Sequence, residues 1–138
     1  MEARSIYEIA GGDAPFKALV DTFYRNVEAT PILRPMFPED LSEGKEWQFL
    51  FITQYFGGPT RYIEQRGHPR LRMRHGPFVI GVAEADAWLQ CMLSAMDEVG
   101  FAPDVDAAMR TYFTSTARFM INSNPGDQRI SLAANPNP

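Results

Sequence analysis

Glycine and proline cut this chain into short segments, and between the cuts the apolar residues return every three or four positions. That spacing builds one-sided helices and leaves little room for a sheet. The group Gly11, Gly12, Asp13, Pro15 reads as a helix start, with Asp13 as the N-cap and Pro15 in the first turn. Phe16, Leu19, Val20, Phe23, Tyr24 and Val27 then recur on one face until Pro31. Ile32 to Met36 is a short turn of helix boxed in by Pro31, Pro35 and Pro38. Ser42 is the expected cap of the next helix, whose Trp47, Leu50, Phe51 and Tyr55 share a side before Gly57, Gly58 and Pro59 end it. Thr60 to Arg66 and Arg70 to His75 are two further short helical pieces, broken at Gly67 and Pro69 and again at Gly76 and Pro77. A stripe of Trp88, Met92, Ala95, Met96 and Val99 predicts a helix from Val82 to Val99, closed by Gly100. Pro103 and Asp104 open the last one, which runs to Ser123 with Val105, Ala108, Met109, Tyr112, Phe113, Thr116, Phe119 and Met120 on its face. Strand-like alternation occurs only at Phe78 to Val82, too short for a sheet. The expected class is all-α, as one domain over residues 1–123, with a disordered polar tail from Asn124 to Pro138.

A chain of 138 residues with 45% apolar content can bury a core without disulfides or a structural metal. The longest apolar run, Phe49 to Ile52, is far below the roughly 18 residues that a bilayer requires, so no membrane association is expected. Glu2, Arg4 and Tyr7 interrupt the place where a signal-peptide core would stand. With its single cysteine, Cys91, the chain forms no internal bridge, and a reduced, cytoplasmic protein is expected. The net charge of −4 argues against a nucleic-acid partner. Five arginines and one glutamate lie between Arg61 and His75, however, and this local excess of positive charge suits a compact anion.

The two histidines differ in setting. His68, between Gly67 and Pro69, reads as a solvated loop residue. His75 follows Leu71 on the same helical face and precedes Phe78, Val79 and Ile80, so its ring points toward an apolar interior while its other nitrogen can reach a carbonyl near Leu71. By its surroundings alone it is either a satisfied core histidine or a metal ligand. Two separated histidines and a distant cysteine do not make a zinc site. Haem needs one imidazole and a flat apolar slot. Of Arg66, Arg70, Arg72 and Arg74, at most two could face its propionates, the rest forming a solvated basic loop. Tyr24 and Trp88 are either core residues or site residues, and each has a polar handle that needs a partner when buried. Gln48, flanked by Trp47 and Phe49 and one turn after Gly44, is either a surface residue or a buried donor beside a backbone without side-chain bulk. Cys91 reads as a small core residue, and Glu84 and Asp86 as first-turn acids that favour the helix dipole. No Ser/His/Asp or Cys/His set and no phosphate-binding glycine loop is present, so hydrolytic and nucleotide-binding readings drop out.

Taken together, these residues resemble the group II truncated haemoglobins, small two-over-two helical globins. The likeness runs from Ile6 to Ser123 and rests on Tyr7 to Gly12 (YEIAGG), Phe23-Tyr24, Leu33-Arg34-Pro35, Gln54 to Pro59 (QYFGGP), Pro77-Phe78 and Asp86 to Leu89 (DAWL). Its longest and most specific block is Gln65 to His75 (QRGHPRLRMRH). The resemblance implies a two-over-two sandwich around haem b, with His75 as iron ligand. It places Leu71, Arg72, Arg74, Tyr62, Phe51, Phe78 and Ile80 against the cofactor. Tyr24, Trp88, Gln48, Phe37 and Gly44 then form the ligand side, where the contact of Gln48 is the least fixed because relatives vary there. The implied partners are O₂, CO and NO, with an electron-donating reductase. The implied function is gas binding with redox or detoxifying chemistry, by nitric oxide dioxygenation or peroxide activation. A gas or redox sensor or O₂ reservoir without turnover is the alternative, and a cofactor-free helical interaction domain is the third reading.

Overall fold

The computed structural model describes residues 4–68 and 80–121. Among these residues six α-helices follow one another: α1 (Ile6–Ala10), α2 (Asp13–Glu28), α3 (Ser42–Tyr55), α4 (Arg61–Arg66), α5 (Val82–Val99) and α6 (Pro103–Phe119), with a 3₁₀ turn at Arg34–Met36 between α2 and α3. No strand occurs among the described residues. The expected short helix from Arg70 to His75, the residues Phe78 and Val79, and the tail from Asn124 lie outside them.

The helical stripe of α2 is its buried face: Phe16, Leu19, Val20, Phe23, Tyr24 and Val27 are all buried. That face packs on α5 and on α3, and α5 in turn packs on α6. Two helix pairs, α2 with α3 and α5 with α6, thus lie one over the other, and Met92, Ala95, Met96, Met109 and Phe113 fill the space between them. Burying these side chains is the dominant favourable term in holding the layers together. Among the described residues, no helix is long and apolar enough to cross a membrane.

Where the structure departs from the sequence reading, side chains had more than one use for the same chemistry. Asp13 is not the N-cap of α2; Gly12 holds that position at φ +84°, and Asp13 is the first helical residue. Its carboxylate instead accepts from the Tyr7 hydroxyl (2.8 Å) and from both terminal nitrogens of Arg61 (3.2 and 2.8 Å), tying α1 and α4 to α2. Ser42 likewise caps nothing: its own N–H donates to the Asp40 carboxylate at 2.9 Å. On α6, Ala108 and Phe119 face solvent, and Ala117 takes a buried place beside Met120. Helix α1, not foreseen from its five residues, is set by a capping box in which the Ser5 hydroxyl accepts from the Glu8 N–H and the Glu8 carboxylate accepts from the Ser5 N–H.

The Arg61 guanidinium, with the Tyr7 hydroxyl second, holds the Asp13 carboxyl below its ordinary value of 3.8. A depressed carboxyl pKa contributes stability that is complete above the unfolded value and lost as pH falls through the lowered one. Asp13→Asn is therefore expected to flatten the loss of stability below about pH 4, as measured by urea titration along a pH series. Both side chains remain partly in water, which keeps the effect modest.

Candidate functional site

A cavity of about 450 Å³ opens between the helix layers, within the range of small-molecule sites. Each of its walls comes from a different element. Helix α2 contributes Phe23 and Tyr24, which sit edge-on at 5.3 Å; Phe23 also meets the Trp88 ring from α5 edge-on at 5.4 Å. Phe37, after the 3₁₀ turn, presents its ring edge-on to Tyr24 at 5.8 Å. From α3 come Gly44, Trp47, Gln48 and Phe51, and from α4 Tyr62 and Arg66. Tyr62 is buried between Phe51 (5.5 Å) and Trp47 (5.8 Å), and the Arg66 guanidinium lies over the Trp47 ring at 4.8 Å, a cation–π contact at the edge of the cavity. Ile80 completes the side from which α5 departs.

The structure therefore brings Tyr24, Phe37, Gly44, Gln48, Phe51, Tyr62, Ile80 and Trp88 around one cavity, eight residues named from the sequence. His75, Arg74, Arg72, Leu71 and Phe78 lie outside the described residues. His68 is exposed and is not among the lining side chains. Cys91 is buried away from the cavity, with its sulfur 3.3 Å from the Thr30 hydroxyl.

Three polar side chains stand on the walls, Tyr24, Trp88 and Gln48. The Tyr24 hydroxyl makes no hydrogen bond among the described residues, and burial pushes its pKa far above the ordinary tyrosine value, so it keeps its proton at every physiological pH. The Trp88 indole N–H likewise has no partner there. Gln48 has a buried amide oxygen with no hydrogen bond, an arrangement that costs free energy unless a ligand or a half-turn of the amide satisfies it. Gly44 provides the room: a Cβ at that position would stand 2.9 Å from the Tyr24 hydroxyl. Gly44→Ala is accordingly expected to displace that hydroxyl without unfolding α3, since alanine favours a helix over glycine by up to about 1 kcal/mol. Its effect on O₂ release should vanish in a Tyr24→Phe background, and a double-mutant cycle of release rates checks this.

Glu84 was missed. Sequence reading made it a first-turn acid of α5 that favours the helix dipole, and no more; it is also 3% exposed, lines the cavity and accepts the Gly81 N–H at 2.7 Å. The Gly81-x-x-Glu84 spacing is that of a helix-start box and could have signalled the bond, though not the burial. Tyr112 and Thr116 were read as core and also reach the cavity wall.

An apolar, aromatic-walled slot with the Tyr24 hydroxyl on its wall and an arginine at its edge fits a flat apolar cofactor with anionic side groups and a small ligand bound on it. A family model for bacterial-like globins matches residues 5–122. The group 2 truncated hemoglobin YjbI of Bacillus subtilis is 46% identical over 120 residues, covering 87% of this chain and 91% of that protein. Among solved structures, a haemoglobin from the thermophilic phototroph Chloroflexus aurantiacus superposes with a TM-score of 0.86 at 54% identity, covering 88% of this chain and all of the other. A truncated oxygen-avid haemoglobin from Bacillus subtilis does so with a TM-score of 0.83 at 46% identity, covering 86% and 100%.

Proposed function

The chain is a member of the bacterial-like globin family, a group II truncated haemoglobin of the two-on-two type, and on that footing we propose that it binds haem b and retains O₂ for reaction in place. The observation that carries this reading is the Tyr24 hydroxyl, a donor that burial keeps protonated and that makes no hydrogen bond among the described residues, facing Gly44 inside an aromatic-walled cavity. What haem supplies when bound is a metal centre with affinity for O₂, CO and NO. His75 is the proposed ligand to that metal. Phe51, Tyr62, Ile80, Leu71 and Phe78 would provide the apolar walls, and two of Arg66, Arg72 and Arg74 the positive charge for the propionates. Non-covalent haem b is the form that suits a chain whose one cysteine belongs to no Cys-x-x-Cys-His sequence.

The chain's own contribution is polar preorganisation. The Tyr24 hydroxyl stands beside Gly44, and Tyr24, with Trp88 and Gln48 of the same cavity, would supply the donors that stabilise partial negative charge on O₂. Retention of this kind is ill suited to delivery and well suited to reaction. One O₂, one NO and one electron balance to one nitrate, so the electron calls for a reductase partner. Peroxide reduction is the second chemistry this cavity supports. The oxygen-avid relative in Bacillus subtilis has the same overall structure, which supports the emphasis on retention.

An absorption spectrum of the purified protein, reduced and then exposed to CO, tests the proposal. An intense porphyrin band that shifts with CO, and that is lost together with pigment uptake in His75→Ala, is the expected result. A colourless protein, or a His75→Ala variant with unchanged pigment and axial spectrum, would overturn it. Sustained nitrate formation from O₂ and NO with an added reductase would separate turnover from storage or sensing.

A further inference from the structure

One thioether stands where the cavity meets the turn ahead of α3. Five methionines occur among the described residues, and three of them, Met92, Met96 and Met109, are fully buried away from the cavity. Met36 and Met120 line it; Met120 is buried, whereas Met36 is only half-buried. Met36 ends the 3₁₀ turn and packs against both apolar clusters of the described residues, the large one between the helix layers and the small one of Ile80, Ala85, Ala117 and Met120. Its N–H donates to the Leu33 carbonyl at 2.8 Å, and the Arg34 guanidinium donates to the carbonyls of Phe37, Pro38 and Glu39 at 3.2, 3.1 and 3.0 Å, so the turn holds the side chain in place. The next residue is Phe37, whose ring meets Tyr24. Filling this wall does not ask for sulfur, since leucine replaces methionine with little change of volume. What sulfur adds is a polarisable lone pair that oxidants attack.

We propose that Met36 is a modification site, at which hydrogen peroxide reaching the cavity converts the thioether to a sulfoxide and thereby weakens the hold on O₂. The sulfur lone pair forms a bond to one peroxide oxygen as the O–O bond breaks. The departing hydroxide takes the proton of the oxygen now on sulfur and leaves as water, so one peroxide is reduced and one thioether oxidised. A sulfoxide oxygen is a polar acceptor, and in apolar surroundings it costs free energy until it finds a donor. The Tyr24 hydroxyl, without a hydrogen bond among the described residues, is a donor on the wall of the same cavity. A hydroxyl drawn to the sulfoxide is lost to O₂. The oxidation itself needs only the cavity and peroxide; its effect on O₂ rests on the haem reading above.

The test treats the haem-loaded full chain with hydrogen peroxide at a dose that oxidises a methionine peptide in the same tube, and maps the sulfoxides by mass spectrometry. The expected result is a sulfoxide at Met36 ahead of Met92, Met96, Met109 and Met120. O₂ release from the treated protein should quicken several-fold and return to the parent rate after methionine sulfoxide reductase, which separates the sulfoxide from damage elsewhere. Met36→Leu should keep the parent's reduced CO spectrum and an O₂ release rate that the same treatment leaves unchanged. Met36 left as a thioether, or a treated Met36→Leu variant whose O₂ release quickens as much as the parent's, overturns the proposal while the CO spectrum still upholds the haem reading. A chain without the CO spectrum overturns both.

Discussion

Tyr24→Phe is expected to speed O₂ release from the haem-loaded protein by about 10- to 100-fold, the equivalent of one hydrogen bond to a partly charged acceptor at roughly 1.5–3 kcal/mol. The substitution removes one oxygen atom and leaves the ring where it packs, edge-on against Phe23 and Phe37. Release of CO, which gathers far less negative charge, should change little, so the ratio of the two rates isolates the hydrogen bond from any change in the shape of the cavity. Burial raises the Tyr24 pKa well above the ordinary range, and the parent's O₂ release should therefore stay level with pH across the neutral and mildly alkaline region. Stopped-flow displacement of O₂ by CO measures all of this. An unchanged O₂ rate in Tyr24→Phe would assign the stabilisation to Trp88 or Gln48. A pH-dependent rate in the parent would show that another group titrates in the cavity.

Several of the residues on which that prediction depends could be read directly from the order of amino acids, for a definite reason. The buried face of α2 is written at helical spacing without exception, and the same stripe that seats Phe23 in the core sets Tyr24 beside it at the cavity. The end of helix α5 was read correctly because Gly100 adopts φ +77°, a conformation that a residue with a side chain rarely takes. What could not be read was the partner of each polar group. Asp13 and Ser42 have the chemistry of caps, yet the first is drawn off by Arg61, which is remote in sequence, and the second is itself capped by Asp40. Glu84 looks like any first-turn acid until the layers close over it. Spacing put Tyr55 on one side with Trp47, Leu50 and Phe51, yet at the last residue of α3 it stands out into solvent. Periodicity reports which face of a helix is apolar; it carries no information about which distant side chain arrives opposite.

The largest loss of stability is expected from Phe16→Ala, about 3–5 kcal/mol, the usual cost of emptying a fully buried phenylalanine site. Phe16 is 0% exposed and its ring touches three separate parts of the chain. Its ring stacks on Tyr7 of α1 at 5.9 Å and on Phe56 just after α3 at 6.0 Å, and meets Phe101 between α5 and α6 at 5.8 Å. The void cannot close easily. Tyr7 is anchored by its hydroxyl on Asp13 and by its backbone N–H on the Phe56 carbonyl at 2.9 Å, so it is not free to move inward. Gly58 adds a second restraint, since the Tyr7 ring lies 2.8 Å from where a Cβ at that glycine would stand. For a chain of this length the cost corresponds to a fall in melting temperature on the order of 10–20 °C, read by calorimetry on the haem-loaded protein. Phe16→Leu should lose less, since it leaves a smaller void. Phe16 does not line the cavity, so Phe16→Ala that is still folded at low temperature should release O₂ at the parent rate. A release rate altered as much as by Tyr24→Phe would mean that this aromatic junction sets the position of α2, and with it the hydroxyl of Tyr24.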